Sequence, residues 1–152
     1  MTKRLTVCLV LAGMALAAAA QPAGREPLND GWTFVKDGES RVVDLPHDWG
    51  VDGPFKQEYP GESGKLAWWG KADYKKALTL TAEDLEQDID LEIDGAMSHA
   101  TVEVNGVDLG GWPYGYASFA IRLNPALKAG RNEITRSISC SRSSAVSVNA
   151  FL

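Results

Sequence analysis

Along residues 88–95, DIDLEIDG, apolar and acidic positions alternate: Ile89, Leu91 and Ile93 against Asp88, Asp90, Glu92 and Asp94. A period of two places the two sets on opposite faces, so the segment is expected to be a strand with one buried face and one wet, acidic face. The alternation returns in ATVEVNGVDL, where Val102 and Val104 share a side ahead of Asn105-Gly106, the strongest short hairpin signal in the chain. SFAIRL adds a strand with Phe119, Ile121 and Leu123 on one side, and upstream GWTFV and RVVDLP read as short strands around the polar turn KDGES. YKKALTL leads into TAEDL, where Thr81 and Asp84 have capping-box spacing for a single helical turn. NPALKAG places Asn124 as a cap and Pro125 at a first helical position.

Short strands at regular spacing, with only single helical turns between them, predict an all-β domain, an antiparallel β-sandwich or jelly roll. Two stretches break the pattern. Residues 47–70 carry prolines, five glycines and no period, so they are expected to be a long surface connection. In the C-terminal NEITRSISCSRSSAVSVNAFL, a strand would put Arg136 on the face of Ile134 and Ile138, which spoils the inward pattern and leaves the closing strand undecided.

The first twenty residues follow different rules. Lys3 and Arg4 precede an apolar run ending in Ala17–Ala20, the layout of a Sec-type bacterial signal peptide cleaved near Ala20, with Gln21 as the mature start. The run is shorter than the ~20 residues that span a bilayer, so the product is expected to be periplasmic or secreted and not membrane-embedded. Without Lys3 and Arg4 the formal charge of -5 becomes -7, which makes nucleic acid a poor partner. Cys8 leaves with the signal, and Cys140 then has no intrachain partner. Some 130 mature residues suffice for one domain with one core.

Candidate chemistry lies in the aromatic residues. No nucleophile elbow, phosphate loop or His-Glu-x-x-His motif is present, and Asp48, Asp52 and Asp94 match no calcium-loop spacing. No catalytic residue, metal or cofactor is therefore assigned. A pyranose has an apolar C–H face and a hydroxyl rim, so its sites pair a flat ring with nearby polar groups. Trp49 with His47, Asp48 and Asp52 fits that recipe, as do Trp68 with Trp69, and Trp112 with Tyr114 and Tyr116. The competing use of every such ring is to fill the core or an interface.

In order and spacing, LNDGWTF, DLPHDW, FKQEYPGESGKLAWWG, LEIDGAMSHATVEVNGVDLGGWPYGYASF and NPALKAGRNEI resemble the N-terminal sugar-binding domain of glycoside hydrolase family 2, nearest in flavour to the β-galactosidases. The resemblance implies a galactose-binding-domain-like jelly roll over residues 21–134, followed by an atypical tail at 135–152. It also implies a role beside a catalytic (β/α)8 barrel, with carbohydrate or that barrel as partner. In the family two glutamates of the barrel carry the retaining chemistry, which needs carboxyl groups ~5 to 5.5 Å apart. Such a barrel takes ~250 residues, so this chain is expected to be inactive alone.

Carried over residue by residue, Met97 occupies the position from which some members reach a side chain toward the sugar, with Ser98 and His99 following. Residues 112–116 match the family's aromatic turn, expected to be mainly a packed edge with Gly115 permitting close approach. Two departures stand out. Asp73 replaces an apolar ring, which predicts weaker anchoring of its strand, and after Ile134 the family-like pattern stops, as in a truncated or frame-shifted gene product.

Overall fold

A computed structural model describes residues 24–59, 68–140 and 150–151. Its first hairpin joins β1 (Trp32–Lys36) to β2 (Glu39–Val43) through Asp37-Gly38, both at positive φ. The alternation in β1 turns Trp32, Phe34 and Lys36 inward. Lys36 is tolerated there because its ammonium lies 4.8 Å from the Trp68 ring centre and bonds Asp37 Oδ2 at 3.1 Å and the Lys71 carbonyl at 3.3 Å.

The long strand β3 (Gly70–Leu80) pairs with β1 on one side and along its whole length with β8 (Gly130–Cys140) on the other. β8 in turn pairs with β5 (Ala100–Val104), which forms a hairpin with β6 (Val107–Trp112). The result is a six-stranded sheet in the order β2-β1-β3-β8-β5-β6. A second sheet, β7-β4-β9, consists of β7 (Phe119–Arg122), β4 (Asp90–Ile93) and β9 (Ala150–Phe151). All the pairings are antiparallel, as expected for a β-sandwich.

The core lies between these layers. Trp32, Phe34, Ala72, Tyr74, Val102, Val104, Ile134 and Ile138 come from the large sheet, and Leu91, Ile93 and Phe119 from the small one. Leu45 and Trp49, from the connection after β2, join the same cluster. The 47–70 stretch is thus not wholly a surface connection: α1 (Trp49–Asp52), a single turn, drives its first tryptophan into the core.

Local chemistry explains the turns. Asn105 (φ 52°) and Gly106 (φ 83°) form the β5–β6 turn, and both sit where a left-handed backbone is required. Asn105 also binds Asn132 Oδ1 and the Ala126 carbonyl through its amide nitrogen, both at 2.8 Å, and receives the Glu133 N–H at 3.0 Å. Thr81 and Asp84 exchange the reciprocal bonds of a capping box at the 3-10 turn Asp84–Glu86. Asn124 differs from expectation. Its side chain does not cap its own turn but accepts from Ile89 N (2.7 Å) and donates to the Gln87 carbonyl (2.7 Å), tying two loops together.

The family-like pattern stops at Ile134, but the strand does not. β8 runs on to Cys140 as an interior strand of the large sheet, so the sandwich extends past the expected boundary at 134. The residue choices that obscured it are mutually compensated on one face. Ser137 Oγ donates to Asp73 Oδ1 at 2.6 Å across the β3–β8 pair, so the carboxylate that replaces a ring anchors β3 by a cross-strand bond. On the other face Arg136 is fully buried against the Tyr74 ring, 4.7 Å from its centre, and Trp32, at 5.9 Å. The proposed signal segment and most of the tail beyond Cys140 lie outside the described residues.

Candidate functional site

The nine residues singled out from sequence fall into two separate groups. His47, Asp48, Trp49 and Trp68 gather over the β1–β3 side of the large sheet. Trp49 is fully buried, with its ring 5.7 Å from Phe34 and 6.2 Å from Tyr74, and Trp68 is buried with its indole N–H on Asp37 Oδ2 at 2.8 Å. Rings so placed close the core and present no face to a ligand arriving from solvent. Asp48 is committed as well, its Oδ1 accepting from Gly50 N at 2.8 Å to cap α1. Trp69 remains exposed where β3 begins.

His47, itself buried, binds through both ring nitrogens: Nδ1 lies 2.7 Å from the Tyr74 hydroxyl, and Nε2 lies 3.0 Å from Asp52 Oδ2. With Nε2 protonated the ring donates to Asp52 and accepts from Tyr74 at Nδ1; with Nδ1 protonated it donates to Tyr74, and Nε2 accepts from Arg41. Arg41 Nη2 donates to the same Asp52 oxygen at 3.0 Å and stands 3.2 Å from Nε2. Burial pushes the imidazole below its usual range, outweighing the opposing pull of Asp52. Sequence reasoning missed Arg41 and Tyr74 as members of this chain, since nothing in their local pattern distinguishes them from ordinary strand residues.

The second group lies at the other end of the large sheet. Met97, Ser98 and His99 form the crossing between β4 and β5, and residues 113–118 lead from β6 to β7. Ser98 exchanges backbone bonds with Ser139 of β8, both at 3.1 Å, and His99 N donates to the Pro113 carbonyl at 3.2 Å. Met97 packs beneath Gly115, where an added Cβ would come within 3.0 Å of its side chain. Trp112 stacks on Phe119 at 6.2 Å and meets Tyr114 edge-on at 5.8 Å. The structure thus brings Met97, His99, Trp112 and Tyr114 together.

The expectation of a packed edge holds for part of this corner only. Trp112 keeps 38% of its surface exposed, whereas Tyr114 and Tyr116 expose 66% and 82%. Two residues there hold a left-handed backbone without being glycine, His99 at φ 54° and Tyr116 at φ 60°. His99 Nδ1 lies 3.1 Å from Ser98 Oγ, and its ring is on the surface. Glu92 and Asp94, at the end of β4, are both paired with Arg25, at 3.0 and 3.6 Å. Among the described residues no three His, Cys, Asp or Glu side chains are grouped to hold a metal, and no helix is long and apolar enough to cross a membrane.

No family model matches the chain. It is 36% identical over 125 residues to a β-galactosidase, BoGH2A, of Bacteroides ovatus, a match covering 74% of this chain and 15% of that protein. A β-glucuronidase of Bacteroides fragilis is 31% identical over 108 residues, 68% of this chain and 14% of its own. Among solved structures, a β-glycosidase from Bacteroides vulgatus superposes with a TM-score of 0.69 at 24% identity, over 86% of this chain and 20% of that one. A glycosyl hydrolase family 2 member from Bacteroides cellulosilyticus gives a TM-score of 0.68 at 19% identity, over 84% and 20%. At those identities the structural likeness is one of fold. The chain spans about one seventh of the length of the curated relatives it matches.

Proposed function

We propose, for a chain that is a sandwich domain of glycoside hydrolase family 2, that it serves an exported β-galactosidase-like enzyme as an accessory carbohydrate-binding domain. The observation that supports this reading is the second aromatic corner, where the sequence-selected Met97, His99, Trp112 and Tyr114 converge on the surface while Trp49 and Trp68 are spent in the core. Trp112 rests on Phe119 by one face, so a pyranose C–H face would lie on the other, with the Tyr114 hydroxyl and the His99 ring meeting the sugar's rim. Titrating the purified chain with β-galactosides should give saturable tryptophan quenching that Trp112→Ala removes. A flat titration up to high millimolar sugar counts against the reading.

Catalysis would belong to a barrel outside this sandwich, so no turnover of a chromogenic galactoside by the chain alone is expected. A second reading is favoured by the exposure of Tyr114 and Tyr116 beside Trp112, more apolar surface than one sugar ring covers. On that reading the corner braces the barrel of the glycosidase. Binding of a family 2 barrel fragment, lost on Tyr114→Ser with Tyr116→Ser and indifferent to galactoside, would select it. Export is tested by finding Gln21 as the N-terminus of the secreted product, and origin as a fragment of a longer gene product by reading the DNA past the stop.

A further inference from the structure

We infer that the Asn105-Gly106 turn is a covalent modification site gated by folding: it deamidates in the unfolded chain, is blocked in the native one, and yields products that disfavour the native hairpin. Of the asparagines in the sequence, Asn105 alone is followed by glycine, whose backbone nitrogen no side chain shields. The reaction needs only water. Gly106 N bonds to Asn105 Cγ, the Cγ–Nδ2 bond breaks, and the amide leaves as ammonia with the proton that Gly106 N gives up. Water then opens the five-membered imide at one carbonyl or the other. The outcome is an aspartate at 105, or an isoaspartate whose main chain runs through Cγ.

Two features of the fold stop the first step. Val104 pairs with Val107 across a two-residue turn in which Asn105 and Gly106 both have positive φ, 52° and 83°, so the turn is type I′. In that type ψ of the first residue is about +30°, the mirror of type I, which carries the next nitrogen to the side of Cα opposite Cβ. Closing a five-membered ring needs the two nearly eclipsed, so the peptide between Asn105 and Gly106 would have to flip. The side chain is fixed as well. Nδ2 donates to the Ala126 carbonyl and to Asn132 Oδ1, both at 2.8 Å, and Oδ1 accepts from Glu133 N at 3.0 Å. Asn105 N donates to the Glu133 carbonyl at 2.9 Å, so backbone and side chain are both tied to β8.

The same bonds make the change one-way. A carboxylate only accepts, so an aspartate at 105 keeps Glu133 N but sets a charged oxygen against the Ala126 and Asn132 oxygens that the amide nitrogen had served. Asn132 cannot answer by turning its amide over. It is fully buried, its Nδ2 donates to the Lys128 and Gly130 carbonyls, and its Oδ1 accepts from Lys128 N. An isoaspartate adds a main-chain atom to a turn whose length fixes the Val104–Val107 register. Unfolding thus exposes Asn105 to a reaction that withdraws the molecule from refolding.

The test follows conversion at 105 by peptide mapping and isoaspartyl methyltransferase labelling at mildly alkaline pH. Three samples are compared: the full chain in buffer, the full chain in concentrated guanidinium chloride, and a free peptide of residues 100–111. The peptide and the denatured chain should convert at similar rates. The native chain should be at least about a hundredfold slower, because folded domains are unfolded for only about a thousandth of the time or less. Urea below the unfolding midpoint should raise the native rate in step with the unfolded fraction. Asn105→Asp should raise the unfolding equilibrium constant by about tenfold or more, since it leaves the buried Asn132 oxygen without its donor. A variant too unstable to fold counts the same way. Native conversion at the peptide's rate, a native rate indifferent to urea, or an Asn105→Asp variant with the wild-type urea midpoint overturns the inference.

Discussion

Replacing Arg136 by methionine should stabilise this domain. Arg136 is fully buried, and its three guanidinium nitrogens have no hydrogen-bond partner among the described residues. Desolvation pulls it down to about 10, from an ordinary value above 12. At ~1.4 kcal/mol per tenfold change, that drop is worth about 3 kcal/mol against the charged form in the fold. Two contacts oppose it, the cation–π approaches to Tyr74 and Trp32, each worth roughly 0.5–2 kcal/mol. Methionine keeps the apolar stem, adapts to the space and removes both the charge and the unmet donors. With the two ring contacts at the low end of that range, about 1 kcal/mol together, the balance favours the variant by about 2 kcal/mol, in line with the behaviour of buried charges replaced by apolar residues.

Urea unfolding followed by circular dichroism at pH 7 reads this directly, as a higher midpoint with an unchanged slope. The melting temperature should rise by roughly 4–8 °C for a chain of this size. The pH dependence supplies a second check with a definite sign. The folded state releases the Arg136 proton more readily than the unfolded one, so the wild-type deficit is full below about pH 10 and shrinks as pH rises beyond it. A variant less stable than wild type at pH 7 would show that ring stacking outweighs desolvation here, and would refute the reasoning.

Three further predictions follow from single contacts. Gly111→Ala should abolish folding or cost more than about 4 kcal/mol, because a Cβ there would sit 1.9 Å from the Ala100 carbonyl oxygen in the β5 backbone; a soluble, cooperatively melting variant would contradict this. Asn105→Ala should cost about 2–3 kcal/mol in urea unfolding, since it leaves Glu133 N and the buried Asn132 short of partners and puts alanine at positive φ. The His47 contribution to stability should be intact above about pH 6.5 and lost as pH falls below it. The folded form binds that proton less readily than the unfolded form, and the difference between wild-type and His47→Gln urea midpoints across pH 4.5–8 measures it.

The alternation of Leu91 with Ile93, and of Val102 with Val104, was enough to specify strands and their inward faces, because a period of two is a local property of the backbone. The Asn105-Gly106 turn and the Thr81–Asp84 capping box were equally local and equally legible. Likewise the aromatic corner could be picked out by composition, and a close approach at Gly115 expected from the motif, although that Met97 is the side chain making it was not legible. How much of each ring faces water could not. Trp49 and Trp112 look alike in sequence, yet one is sealed beneath α1 and the other lies half-open on Phe119.

What sequence determined here was the period, the turns and the family likeness of its motifs. Only the tertiary structure decided that β8 runs through Arg136 into the middle of the sheet, that Asp73 and Ser137 answer each other across strands, and that His47 is shared by Tyr74 and Asp52. The physical reason is distance along the chain. A strand's face is set by its neighbours two residues away, whereas the worth of a buried charge or a shared proton depends on groups from other strands, which local pattern does not place.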